Sequence, residues 1–336
     1  MRNGALLEKL YKGQKNVTKP LSVLVIQNGK RFFMQLEVLV KEFLFECEIR
    51  EYTDKTVENY RKQLRHFLTF MSNEFQISTL EELKPLHVKA FIKHYQLRQC
   101  KPSYVNDNLK AVKVLCAYAY REKYTDYLIT KNIKNVKEPK SLIHTFSPEE
   151  IKKMISYYSG GNYMDIRNKT ILMILFDTGI RINELVEMKE DQIQDAYFII
   201  YGKGRKERVV PKNPMVAKAL MKYLFAKEKY FQCRNAENYL FLSKNGKKLN
   251  YQVVGQFMKD CAKAVGVRPK VRVSPHTCRH TFAHQQLKNG LDLYSLSRLL
   301  GHESVSITQR YLEAMEDSQI IASAKKTSVL ANLKQP

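Results

Sequence analysis

The sequence predicts a mainly α-helical chain with one small β-sheet, built as a helical first domain and a mixed α/β second domain. Three observations carry that expectation. Apolar residues recur at helical spacing from Gln35 to about Tyr124. A lysine-rich stretch without such spacing then interrupts the pattern. Further on, Tyr197–Tyr201 and Arg208–Val210 flank a glycine-bearing turn, which reads as a hairpin. The length of 336 residues suits roughly two domains of about 150 residues each.

Residues 1–34 are a short, basic, weakly patterned extension in which Leu21–Ile26 is a candidate strand. The first domain is expected over 35–129. Leu36, Val40, Phe43 and Leu44 share one helical face, as do Tyr60, Leu64, Phe67, Leu68 and Met71. Thr79 with Glu82 three residues later forms a capping-box pattern that predicts a third helix, and a fourth spans about Pro102 to Glu122. Four such helices with short connections make a compact bundle. Residues 130–144, with four lysines and a proline and no apolar period, are the expected basic linker.

The second domain is expected over 145–336. Ser147-Pro148-Glu149-Glu150 opens it as a helix start, with serine as N-cap, proline at the first helical position and glutamate at the third. A helix near Asp165–Asp177 stops at Gly179 and another begins near Arg181. After the hairpin, helices are expected near 214–228, 251–265, 275–289 and 292–300. Ser274-Pro275 starts the third of these and Gly290 ends it.

The hydrophobic share of 44% is enough for real cores, so general disorder is excluded. The charge is unusual: 57 Lys+Arg against 33 Asp+Glu, a net charge of +24. Self-repulsion of that size implies a polyanionic partner. No apolar run reaches the ~20 residues needed to span a bilayer, and the opening residues MRNGALLEKLYKGQKN lack the apolar core of a signal peptide. Nucleic acid is therefore the expected partner, not membrane. On the first domain, Arg61, Lys62, Arg65, Lys110 and Lys113 are candidate DNA contacts, although such charges are more often a solvated face. The six cysteines include no C-x-x-C pair, which fits a reducing cytoplasm and neither a zinc ribbon nor a disulfide scaffold. Cys278 lies between His276 and His280, but helix positions two apart point in different directions; a packed thiol is the expectation.

Four fragments of the second domain carry candidate chemistry: T-G-I-R-I-N-E-L (178–185), G-K-G-R-K-E-R (202–208), H-T-C-R-H (276–280), and L-G-H (300–302) followed by Tyr311. Each alone has an ordinary explanation. An arginine at a helix start commonly pairs with a nearby carboxylate, a Gly-Lys-Gly turn is commonly only a turn, and Tyr311 is one of 20 tyrosines. Taken together and in this order, they resemble the tyrosine recombinase family of phage integrases, Xer and Cre recombinases and conjugative-element transposases. The resemblance is close over Phe146 to about Met315 and extends in layout to the preceding helices, which look like the family's core-binding (SAM-like) domain.

The resemblance implies that Arg181, Lys203, His276, Arg279, His302 and Tyr311 are the catalytic set, with Glu184 orienting it. The charge spread over a phosphoryl transition state calls for fixed cations, which the planar, permanently charged Arg181 and Arg279 would supply. Arg205, beside Lys203 on the hairpin, is a further candidate DNA contact. Tyr311 would attack to give a 3′-phosphotyrosine, with His276 as base, Lys203 as the donor to the departing 5′-oxygen and His302 as a phosphate contact. A covalent intermediate conserves the phosphodiester's energy, so no cofactor and no metal is expected, and no G-x-x-x-x-G-K-[ST] motif is present. The implied setting is integration or excision of a mobile element, because of the extra N-terminal segment, with an accessory excision factor as a candidate partner. The alternatives are Xer-like dimer resolution, type IB topoisomerase-like relaxation and a DNA-binding regulator on an inactive fold. The modest apolar pattern after Tyr311 (Ile320, Ile321, Ala324, Val329, Leu330 and Leu333) needs a surface to bury it: either its own catalytic domain or, as the resemblance implies, the next protomer of a homotetramer on DNA.

Overall fold

The computed structural model describes residues 33–139, 143–202, 207–309 and 311. It divides into two compact units, Met1–Lys140 and Ser141–Pro336. Among the described residues the chain is mainly helical with one two-stranded sheet, as the sequence predicts. No helix among them is long and apolar enough to cross a membrane. The candidate strand Leu21–Ile26 and the apolar segment after Tyr311 lie outside the described residues.

The first unit holds four helices: α1 (Leu36–Ile49), α2 (Asp54–Phe75), α3 (Pro85–Leu97) and α4 (Pro102–Arg121). Leu39, Leu64, Phe67, Leu109 and Val112, recurring at helical spacing, fill the interior where α1, α2 and α4 meet. Thr53 caps α2, its hydroxyl accepting the Thr56 N–H at 3.3 Å. The Thr79–Glu82 box opens no helix, contrary to expectation. The Glu82 carboxylate does accept from the Thr79 hydroxyl (2.8 Å) and backbone (3.2 Å), but the two residues close a turn. Extended pairing to the start of α1, Leu36 N–H to Ser78 O and Leu80 N–H to Met34 O, holds 78–80 out of helical geometry. Pro85 then forces Lys84 into extended backbone (φ −116°, ψ 158°), so α3 starts only at the proline. Much of the stretch read as linker is fixed to this unit: Thr130 and Ile133 are buried, and Asn106 exchanges two hydrogen bonds with the Val136 backbone (2.8 and 2.9 Å).

The second unit begins at α5 (Pro148–Tyr157) with the expected capping box. The Ser147 hydroxyl accepts the Glu150 N–H (3.2 Å) and Glu150 accepts the Ser147 N–H (2.8 Å). Arg268 grips the same carboxylate with two guanidinium nitrogens (2.8 and 2.9 Å). Its central helix, α6 (Tyr163–Thr178), is buried on nearly every side because α5, α8 (Pro214–Phe231) and α10 (Pro275–Lys288) pack around it. Gly179 ends α6 at φ +59°, where a Cβ would stand 2.4 Å from the Phe282 ring, so only glycine fits. The short α7 (Ile182–Glu187) follows. Strands β1 (Tyr197–Tyr201) and β2 (Glu207–Pro211) pair antiparallel with Phe198 opposite Val210 and Ile200 opposite Arg208; Phe198, Ile200 and Val210 enter the core. The unit is completed by α9 (Tyr251–Val265), α11 (Leu293–Leu300) and α12 (Val305–Gln309).

Candidate active site

The site assembles around the C-terminal end of α11. The last carbonyls of a helix have no intrahelical donor and carry negative partial charge. Here three successive carbonyls each accept from an arginine on a different element. Leu299 O takes Arg208 Nε of β2 (2.8 Å), Leu300 O takes Arg279 Nη2 of α10 (2.6 Å), and Gly301 O takes Arg181 Nη2 (3.0 Å). Gly301 ends α11 at φ +64° and turns the chain into His302.

Arg181 is the N-cap of α7, and Glu184 at the third helical position accepts its backbone N–H (2.8 Å) and its Nη1 (2.9 Å). Arg208 grips the same carboxylate with both terminal nitrogens, 2.9 and 2.7 Å. Burial pushes the Glu184 carboxyl up, but bonding to Arg208 and then Arg181 outweighs it, so its pKa is lowered and it stays ionised. Arg279, 4% exposed, also donates Nη1 to Gly179 O (2.8 Å). Burial and the neighbouring Arg181 lower its pKa to about 10, leaving it a cation at neutral pH.

His276 lies one helical turn before Arg279 on α10. Partial desolvation, then the charges of Arg279, Arg181 and Arg272, lower its pKa below the usual 6.5, so its ring is neutral at pH 7 and able to accept a proton. The His302 Nδ1 is 2.8 Å from the hydroxyl of the buried Thr308. Tyr311 is 8% exposed, its ring packed with Phe282, Leu287, Leu296 and Leu300. Its hydroxyl is 3.0 Å from His280 Nδ1. A cleft of 1120 Å³ opens over Arg181, Glu184, Arg208 and His302, with Tyr201, Gly202 and Tyr294 on its walls.

Arg181, Glu184, Arg279, His302 and Tyr311 thus gather within one unit. Lys203 and Arg205 lie outside the described residues; the strand ends that flank them in sequence, Tyr201 and Glu207, are paired. Cys278 is a fully buried free thiol, its pKa raised by burial. In the first unit, Lys62, Arg65 and Lys110 are exposed. Arg61 instead pairs with Glu58 at 2.6 Å, and Lys113 donates to Asn135 at 2.8 Å. Two residues at the site escaped the reading of the sequence. Arg208 sits within the hairpin fragment, on the inward face shared with Val210; a charge at an inward strand position is the signal that could have found it. His280 follows His276 by four residues and so shares its helix face.

Residues 144–317 match the phage integrase family, and residues 41–123 match the phage integrase N-terminal SAM-like domain. The chain is 31% identical over 271 residues to tyrosine recombinase XerC of Rickettsia canadensis, covering 78% of this chain and 87% of that one. It is 25% identical over 283 residues to tyrosine recombinase XerD of Oceanobacillus iheyensis, covering 82% and 93%. Its fold is similar to that of XerH site-specific recombinase bound to palindromic difH substrate in a post-cleavage complex (TM-score 0.69, 20% identity, covering 86% of this chain and 84% of that one). It is also similar to the Tn1549 transposon integrase in complex with transposon right-end DNA (TM-score 0.69, 16% identity, covering 87% and 99%). With both halves of the layout matched, and with the clustered arginines, histidines and tyrosine lying inside the longer match, the chain belongs to the phage integrase family, the tyrosine recombinases.

Proposed function

We propose that this chain cuts and rejoins duplex DNA at a specific site, through a covalent bond between Tyr311 and a 3′-phosphate, to integrate and excise a mobile element. The observation that carries the reading is the convergence of Arg181 and Arg279, from separate elements, on the turn that bears His302, within the unit that holds Tyr311. Two fixed guanidiniums suit the charge on the non-bridging oxygens of a phosphoryl transition state. In the proposed step the Tyr311 oxygen bonds to phosphorus and the P–O5′ bond breaks. The phenol proton passes to His276, whose lowered pKa keeps it an acceptor, and Lys203 protonates the leaving 5′-oxygen. Reversal by the 5′-hydroxyl of another strand reseals the DNA without a nucleotide cofactor.

Full exchange by this route takes a homotetramer on two sites, with Lys62, Arg65, Lys110 and Arg205 among the groups neutralising phosphates and an excision factor as a candidate accessory. The proposed organisation is the basic extension 1–34, the DNA-binding helices, the linker and the catalytic domain, acting in the cytoplasm. One observation favours a second setting, Xer-like dimer resolution: the chain spans about nine-tenths of the length of relatives named XerC and XerD.

The test is covalent trapping. The full chain is incubated with a random-sequence duplex pool carrying a nick, so that a short cleaved fragment diffuses away. Adducts stable to denaturant are then recovered and sequenced. Wild type should yield DNA-linked protein with a shared sequence, and Tyr311→Phe should yield none. No adduct with wild type overturns the reading. An adduct with the Phe variant moves the nucleophile elsewhere, with Tyr294, 61% exposed in the same cleft, the next candidate.

A further inference from the structure

We propose that Arg208 is a positioning residue for cleavage: it divides the Glu184 carboxylate with Arg181 and fixes the turn bearing His302, keeping the Arg181 charge available to the phosphate. The inference rests on the recombinase reading above and deepens it. Arg208 is on neither α7 nor α10, yet it touches both sides of the site. Two nitrogens hold Glu184 at 2.9 and 2.7 Å while Nε holds Leu299 O at 2.8 Å. Its side chain is 10% exposed and that of Glu184 7%, so the pair is shielded from water. The fit against the turn is close: a Cβ on Gly301 would lie 2.9–3.1 Å from the Arg208 side chain. The guanidinium therefore lies along the backbone that leads into His302.

The consequence is electrostatic. A shielded carboxylate paired with Arg181 alone would neutralise it. Glu184 shared between Arg181 and Arg208 leaves the cluster, together with Arg279, in excess positive charge where a phosphate would sit. Lysine cannot take over this role, because a single ammonium cannot span two carboxylate oxygens and a carbonyl as the planar fork does.

The experiment uses the full chain and the duplex recovered by trapping. Arg208→Lys and Arg208→Gln are compared with wild type in half-site affinity, melting temperature and single-turnover adduct formation. The scissile position carries either a phosphate or a methylphosphonate, which lacks one negative oxygen. Arg208→Lys should bind the half-site within about two-fold of wild type yet form adduct on the order of 100-fold more slowly, the scale of a small misplacement of reacting groups. On the methylphosphonate, whose neutral centre asks less of Arg181, the deficit should shrink to about five-fold or less. A deficit equal on both substrates would reflect general loosening and would overturn the proposal. So would an unchanged rate, or a failure of both variants to fold. Absence of adduct with wild type instead sinks the recombinase reading itself, so the two failures are distinguishable.

Discussion

Arg279→Lys separates two jobs that one buried side chain performs. Arg279 joins the end of α6, through Gly179 O at 2.8 Å, to the end of α11, through Leu300 O at 2.6 Å. A lysine ammonium reaches one of these carbonyls and leaves the other buried without its donor, at a cost of about 1–3 kcal/mol. For a unit of this size, about 1 kcal/mol lowers Tm by roughly 2–4 °C. The expected fall is therefore between about 2 and 12 °C, seen by thermal scanning of the full chain. The catalytic loss should be larger in kind. Removing one preorganised donor from a charged transition state typically costs about 10²- to 10³-fold in rate, measured here as single-turnover adduct formation below the variant's Tm. Because the positive charge is retained, half-site binding should change little. A Tm within about 1 °C of wild type would refute the staple between α6 and α11, and a wild-type cleavage rate would refute the two-arginine clamp.

Two further outcomes follow from the same residues. If Lys203 protonates the leaving oxygen, Lys203→Ala should slow cleavage of ordinary DNA severely but leave cleavage of a 5′-bridging phosphorothiolate, whose sulfur needs no proton, near the wild-type rate; failure of that rescue reduces Lys203 to a phosphate contact. The second concerns Glu150, whose pKa Arg268 draws down from 4.5 to about 2. Linkage makes that shift worth at most about 3 kcal/mol, and solvent screening of Arg268, whose side chain is 46% exposed, reduces it to roughly 1–2 kcal/mol. A depressed carboxylate stabilises the fold above its unfolded pKa and loses that contribution as pH falls through the folded value. The Tm gap between wild type and Arg268→Ala should thus be full at pH 7 and close between about pH 4.5 and 2. A gap constant over that range would show that the ion pair is not its source.

The local grammar of the chain is legible in its sequence. Ser147 with Glu150 and Ser274 before Pro275 start their helices through bonds between residues three apart or fewer, so sequence alone determines them. The hairpin register follows the two-residue alternation of Phe198, Ile200 and Val210. Likewise Arg181, Glu184, His276, Arg279, His302 and Tyr311 stand out by type and order. What sequence could not decide was every choice between a local bond and a distant one. Thr79 and Glu82 form the expected pair, yet contacts of Ser78 and Leu80 with the start of α1, more than forty positions away, make it a turn. Glu184 reads as the partner of Arg181 alone until β2, folded back from twenty-four residues away, brings Arg208 to the same carboxylate. The Tyr311 hydroxyl meets His280 only because α12 returns the chain to α10. Spacing along the chain determines which face of an element a side chain occupies. Which elements meet across that face is set by packing of the whole core, and here that packing directs three arginines from three elements onto one helix end.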